Sequence, residues 1–157
     1  MQQSFSPLLM DRDMLKENSF GIIPLRKEEN TYFVFLVKLK SGNHWGFPKG
    51  HPIDTKEDAK AVAKREFKEE TNLNVVRFLS DMSFKEHYSF KRDDIEIEKQ
   101  VVYFPAQVSG RASLQEDEIL DGGWYEVEKA LNVLTYLPSK NVCLDLIKAI
   151  KRGEICL

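Results

Sequence analysis

The stretch Gly50–Leu73, GHPIDTKEDAKAVAKREFKEETNL, decides the fold, because it sets six acidic side chains in a segment that otherwise patterns as a helix packed against a core. Asp54 offers an N-cap with Glu57 three residues on, the capping-box spacing, and Thr55 offers a second start one residue later. The helix is expected from about Thr55 to Thr71. At helical spacing Ala59, Val62, Ala63 and Phe67 share one arc, while Lys60, Lys64 and Lys68 descend the opposite side. Glu66 and Glu70 fall inside the apolar arc, one turn apart, and Glu69 stands at its edge.

Like charges at this spacing repel, and carboxylates turned toward apolar surroundings lose hydration, so such a cluster neutralises or finds cations. A hard divalent ion such as Mg²⁺ supplies the missing charge through a few carboxylates, waters and substrate phosphates. The ordinary alternative is a solvated face on which Arg65 reaches Glu69 at i, i+4.

The stretch resembles the Nudix box, in which Gly, five residues, Glu and seven residues precede Arg-Glu-apolar-x-Glu-Glu-x-Gly-apolar. Arg65, Glu66, Phe67, Glu69, Glu70 and Leu73 match in register, and Glu57 stands at the right distance before Arg65. Two positions depart from the pattern. Six residues rather than five separate Gly50 from Glu57, and Asn72 replaces the second glycine. Asn is the next best residue for a left-handed helix C-cap, so that change is mild.

Upstream, SFGIIPL from Ser19 and TYFVFLVKL at Thr31–Leu39 read as two strands joined by the charged turn Arg26–Asn30. Their nearly continuous apolar content predicts central strands covered on both faces. Between them and the helix lies SGNHWGFPKGH, Ser41–His51, where three glycines let backbone approach a ligand and Lys49 sits immediately before the box. An ordinary turn with an aromatic plug fits the same residues.

Downstream, Leu73–Phe90 and Asp94–Val108 read as one long hairpin with Lys91–Asp94 at its tip. The alternation in IEIEKQVVYF changes phase near Lys99, which predicts a bulge there or the entry to a more buried part of the strand. Lys85, His87, Lys91, Arg92 and Lys99 make this hairpin the most basic region, read either as a solvated surface or as phosphate contacts. Gln115–Asp121 is an acidic loop entering the short strand GGWYEV. A short helix over Val127–Leu131 and a closing amphipathic helix over Ser139–Arg152 follow, the latter with Val142, Leu146 and Ile150 inside. A mixed β-sheet sandwiched between α-helices, an α/β fold, is expected.

Length 157 and 42% hydrophobic content fit a single domain over residues 1–157. A net charge of −2 argues against broad binding to nucleic acid or anionic membrane, so any polyanion must be gripped locally. Cys143 and Cys156 are too far apart for a CxxC unit and read as two reduced thiols, which suits a cytoplasmic protein. MQQSFSPLLMDRD at the N-terminus shows no basic leader, long apolar run or lipidation signal.

Beyond the box, WGFPKGH before it, a Tyr and a Lys on the following hairpin, and an acidic loop before a Trp-containing strand resemble the asymmetric diadenosine tetraphosphate (Ap4A) hydrolases of the Nudix family. The likeness covers roughly Ser19–Leu146. It implies a hydrolase that cleaves Ap4A to ATP and AMP with Mg²⁺ or Mn²⁺. Glu66, Glu69, Glu70 and Glu118 would hold metal beside a Gly50 carbonyl, and Glu57 and Arg65 would orient the cluster. Glu70 or Glu118 would take the water's proton. Lys49 and Lys99 would contact phosphates, His44 or His87 would add a hydrogen bond, and Tyr88 and Tyr136 would stack on adenine. The implied partner is a small dinucleoside polyphosphate, with no membrane and no extended nucleic acid, and the chain a monomer or weak dimer. Hydrolysis of RNA 5′ ends or of another nucleoside polyphosphate, catalytically silent nucleotide sensing, and a purely structural interaction role remain the alternatives.

Overall fold

The computed structural model describes residues 14–54 and 56–157. The strands β1 (Met14–Glu28) and β2 (Thr31–Leu39) form the expected hairpin, closed by Glu29 in the left-handed region at φ 55°. Alternation within it divides the core. Ile23, Leu25, Val34 and Leu36 face one side of the sheet, and Ile22, Phe35 and Val37 the other. Both faces therefore need cover. Ala63 and Phe67 of α1 (Ala59–Thr71) cover the second; α2 (Val127–Val133) and α3 (Leu137–Lys151) cover the first with Val127, Ala130, Val142 and Leu146. The result is the α/β sandwich expected from the sequence.

The hairpin does not stay closed. β1 and β2 pair only between Leu25–Glu28 and Thr31–Val34, and beyond that point the glycine-rich segment fills the gap. Its first piece, β3 (His44–Gly46), pairs with β2, and its second, β4 (Lys49–Gly50), pairs with β1 at Phe20 and Gly21. The Ile22 N–H donates to the Pro48 carbonyl at 3.2 Å. Only glycine fits at position 21, because a Cβ there would strike the Pro48 oxygen and the Tyr103 ring.

Beyond α1 come β5 (Asn74–Phe78), β6 (Phe84–Arg92), β7 (Ile95–Ser109) and β8 (Ile119–Glu126). β7 runs parallel to β1 from Met14/Glu96 to Leu25/Gln107, and β8 pairs antiparallel with β2. The first arm of the expected long hairpin is two strands, not one. β5 and β6 both pair with β7, and between them the Ser80 hydroxyl accepts the Met82 N–H at 3.0 Å, turning the chain. The tip is as expected, with Asp93 and Asp94 both at positive φ.

One further expectation is corrected. The helix starts at Ala59 with Asp58 as its cap, accepting the Ala61 N–H at 3.2 Å. Glu57 is unavailable for a capping box at Asp54, because its carboxylate takes the Ile53 N–H at 2.8 Å and the Arg65 guanidinium, folding the chain back before the helix begins. Thr55 lies outside the described residues, as does the N-terminal stretch before Met14. The C-terminal end matches expectation, with Asn72 left-handed at φ 64°. At Lys99 the second of the two readings holds: β6 and β7 pair there without a register shift, so no bulge forms, and the strand enters the interior, with Ile97, Lys99, Val101 and Tyr103 buried in unbroken alternation. The apparent phase change was a lysine occupying an inward position.

Among the described residues no helix is long and apolar enough to cross a membrane. Cys143 is a buried free thiol and Cys156 an exposed one. Gly21→Ala is expected to cost about 2 kcal/mol through overpacking. Urea unfolding checks this, and a loss below about 0.5 kcal/mol contradicts the close approach of Pro48.

Candidate active site

Helix α1 brings its acidic side chains to the strand that fills the split hairpin. Gly50 lies so close to Glu66 that a Cβ at position 50 would fall on the Glu66 carboxyl. Behind them Arg65 acts as a clamp. Its Nε and Nη2 donate to the two oxygens of Glu57 at 3.0 and 3.1 Å, and its Nη1 donates to Glu66 Oε1 at 2.9 Å. Nη2 also reaches the His51 carbonyl at 3.3 Å, and Nη1 lies 3.6 Å from Glu69. Such a fork fixes orientation as well as charge. Arg65 holds the Glu57 carboxyl below its ordinary range, and Glu57 in turn holds the guanidinium protonated.

Glu70 is 3% exposed, and its Oε1 is buried with no hydrogen-bond partner among the described residues. Burial, reinforced by Glu66 and Glu118 and opposed by Lys49, pushes its carboxyl up to about 8. Burial also raises Glu66. Glu118 arrives on the loop before β8, which is tied to the end of α1 by the Ser113 N–H on the Thr71 carbonyl and the Gln115 N–H on the Glu70 carbonyl, at 2.9 and 3.0 Å. Glu69 is exposed beside Arg65 and stands outside the cleft that Glu66, Glu70 and Glu118 line.

These groups fit a hard divalent cation in charge and donor chemistry. Glu66, Glu70, Glu118 and the Gly50 carbonyl could hold one, and the unpartnered Glu70 oxygen is the group that most needs it. Among the described residues no three acidic, His or Cys side chains close into a ready-made cage. Mg²⁺ is ordinarily held through one or two carboxylates plus substrate phosphates, so such a cage is not required.

The cleft has a volume of about 1160 Å³. Besides the three acids, it gathers the expected Lys49, Lys99, His44, Tyr88 and Tyr136 into its walls. The His44 and Tyr136 rings meet at a tilt of 43° with centroids 4.9 Å apart, brought together by the Thr135 hydroxyl accepting the Trp45 N–H at 2.9 Å. Tyr136 is 50% exposed, so one aromatic face is open at the rim. The His44 Nδ1 is buried and has no hydrogen-bond partner among the described residues. Tyr88 stands on β6 beside Phe90, at 6.0 Å between centroids, directly across from Lys99. Lys99 is only 6% exposed, and burial, then Lys49, pull its ammonium down to about 8. Burial lowers Lys49 as well. His87 is exposed and lies outside the cleft lining.

Sequence reasoning missed a buried polar row in the floor. Glu86 accepts from the Tyr103 hydroxyl at 2.9 Å and from the Ser139 hydroxyl at 3.0 Å, tying β6 to the start of α3 three residues beyond Tyr136. Alternation in FKEHYSF, with Phe84, Glu86 and Tyr88 on one face, was the available signal. His51 was also missed. Lys99 Nζ donates to its Nε2 at 3.3 Å, leaving the Nδ1–H to donate to Ser19 Oγ at 3.2 Å. Burial and Lys99 depress His51, in keeping with a neutral ring.

The family model described as NUDIX domain matches residues 15–145. Among solved structures, an Ap4A hydrolase of C. elegans in a binary complex is 22% identical with a TM-score of 0.66, over 87% of this chain and 98% of that one. The NUDIX domain of Shewanella oneidensis NrtR complexed with ADP ribose is 15% identical with a TM-score of 0.67, over 98% and 99%. A MutT NUDIX hydrolase from Burkholderia pseudomallei is 18% identical with a TM-score of 0.60, over 82% and 96%. At these identities the likeness is one of fold. No curated protein sequence matches the chain.

Mg²⁺ at about a hundred times its dissociation constant is expected to stabilise the wild type by about 2.7 kcal/mol. Glu70→Gln should raise the melting temperature in chelator, since it removes a repelled buried charge, and should lose most of the response to Mg²⁺. Scanning calorimetry measures both, and an undiminished Mg²⁺ response in the variant contradicts the assignment.

Proposed function

Since the chain belongs to the NUDIX domain family, we propose that it is a metal-dependent pyrophosphohydrolase of dinucleoside polyphosphates, working as a single domain, that splits Ap4A into ATP and AMP. The observation that carries this reading is that one cleft holds all the kinds of group the reaction needs. It contains an unpartnered buried carboxylate, cations for a polyphosphate, and two aromatic sites for bases.

Water is a poor nucleophile toward a polyanion, so the reaction needs charge neutralisation, orientation and somewhere for a proton to go. Lys49 and Lys99 contact phosphate oxygens, and their burial strengthens that attraction. Tyr88 and Tyr136 stack on adenine, with His44 backing Tyr136. Glu57 and Arg65 fix Glu66 from behind. A divalent cation, Mg²⁺ or Mn²⁺, held by Glu66, Glu70, Glu118 and the Gly50 carbonyl, would supply Lewis acidity and neutralise phosphate charge. The water oxygen bonds to phosphorus as the P–O bond to the leaving nucleotide breaks. Glu70 or Glu118 accepts the water's proton.

Glu70→Gln is expected to lower kcat for Ap4A by about three orders of magnitude, about 4 kcal/mol of barrier. A loss below tenfold contradicts its central role. Tyr88→Ala should raise KM more than it lowers kcat in steady-state assays, whereas a fall in kcat alone would remove the stacking role.

A further inference from the structure

The sheet brings two cations to the hairpin end of the cleft and sets one carboxylate between them. Glu17 on β1 lies opposite Lys99 on β7, and Tyr88 on β6 lies opposite the same lysine from the other side. From the hairpin tip Arg92 reaches back, and its Nη1 donates to Glu17 Oε2 at 2.9 Å, while Lys99 Nζ stands 3.6 Å from Glu17 Oε1. Both cations line the cleft beside Phe90, and the Arg92 guanidinium lies 5.3 Å from the centre of that ring.

One carboxylate does not satisfy this pair. Glu17 makes a single short bond, to Arg92, and its other oxygen, 3.6 Å from Lys99 Nζ, takes no hydrogen bond from that ammonium. The Lys99 ammonium donates its hydrogen bond to His51 Nε2 instead, at 3.3 Å. A polyphosphate chain carries two free oxygens and a negative charge on each successive phosphate, so it can take the guanidinium and the ammonium together where one carboxylate does not.

We infer that Arg92 and Lys99 form a distal phosphate subsite which Glu17 occupies as an internal competitor in the free protein. The ligand class is a phosphoryl group of a polyphosphate chain, beyond the phosphate contacted by Lys49. The subsite rests on the polyphosphate reading above and adds a selectivity rule to it. An anion long enough to reach the subsite must displace Glu17, and one too short never meets it.

Calorimetric titration of the full chain with inorganic tripolyphosphate, in chelator at low ionic strength, tests this without turnover. Glu17→Gln should bind about tenfold tighter than wild type. Glu98→Gln, which removes an exposed charge beside Lys99 in the sequence, should match wild type within about twofold. Glu17→Gln combined with Arg92→Gln should lose the gain. Arg92→Gln alone should bind about threefold more weakly than wild type, which keeps the test decisive should the Glu17 variant fail to fold. Equal binding by Glu17→Gln and wild type overturns the subsite, as does an equal gain in Glu98→Gln, a gain that survives the double substitution, or unchanged binding by Arg92→Gln. A chain that shows the gain yet leaves Ap4A intact overturns only the proposed substrate, and one that hydrolyses Ap4A without the gain overturns only the subsite.

Discussion

The carboxylate of Glu70 is held in the interior with one oxygen unpartnered, beside two further carboxylates of the same sign. Desolvation and repulsion both oppose that arrangement, and an apolar side chain at the same place would be more comfortable. The surrounding structure is what keeps it there. Phe67, Ala63 and Val62 anchor the helix in the core, so Glu70 cannot turn out to solvent without undoing their packing. Arg65 restrains the neighbouring Glu66 from behind, and Gly50 leaves room for it in front. Stability from the apolar face of one helix is spent on holding charge where chemistry can use it.

The split hairpin makes the site possible. Because β1 and β2 pair only from the turn to the Leu25–Val34 pair, the segment His44–Gly50 enters the sheet and carries Lys49 and the Gly50 backbone to the acidic face of α1. Gly21 lets Pro48 approach closely enough for this. The same insertion delivers His44 to one end of the cleft, where Thr135 fixes the rim that bears Tyr136. Glu86 joins that rim to β6 and so to Tyr88. The two aromatic groups are therefore linked through a buried carboxylate as well as through the sheet.

The helix and its acidic face were legible in the sequence because they are local: periodicity marks the buried arc, and two glutamates inside it violate the pattern visibly. The start of the helix was not, because Glu57 is taken by Arg65 and the Ile53 N–H, and that competition is invisible in the capping spacing. At Lys99 the pattern left a bulge and the entry to a buried segment equally open, because an inward-facing lysine imitates a break in alternation. Glu17 and Arg92 lie 75 positions apart, and no local pattern predicts that a parallel pairing of β1 with β7 brings them together.

The most direct test of the central claim, that the buried acids and the cleft's cations and aromatic groups together serve asymmetric cleavage of a dinucleoside polyphosphate, is chromatographic product analysis after incubation with Ap4A and Mg²⁺. The account predicts ATP and AMP in equal amounts, abolished by chelator and reduced about a thousandfold in Glu70→Gln. Release of two ADP, or an intact substrate with the protein folded and metal present, would contradict it.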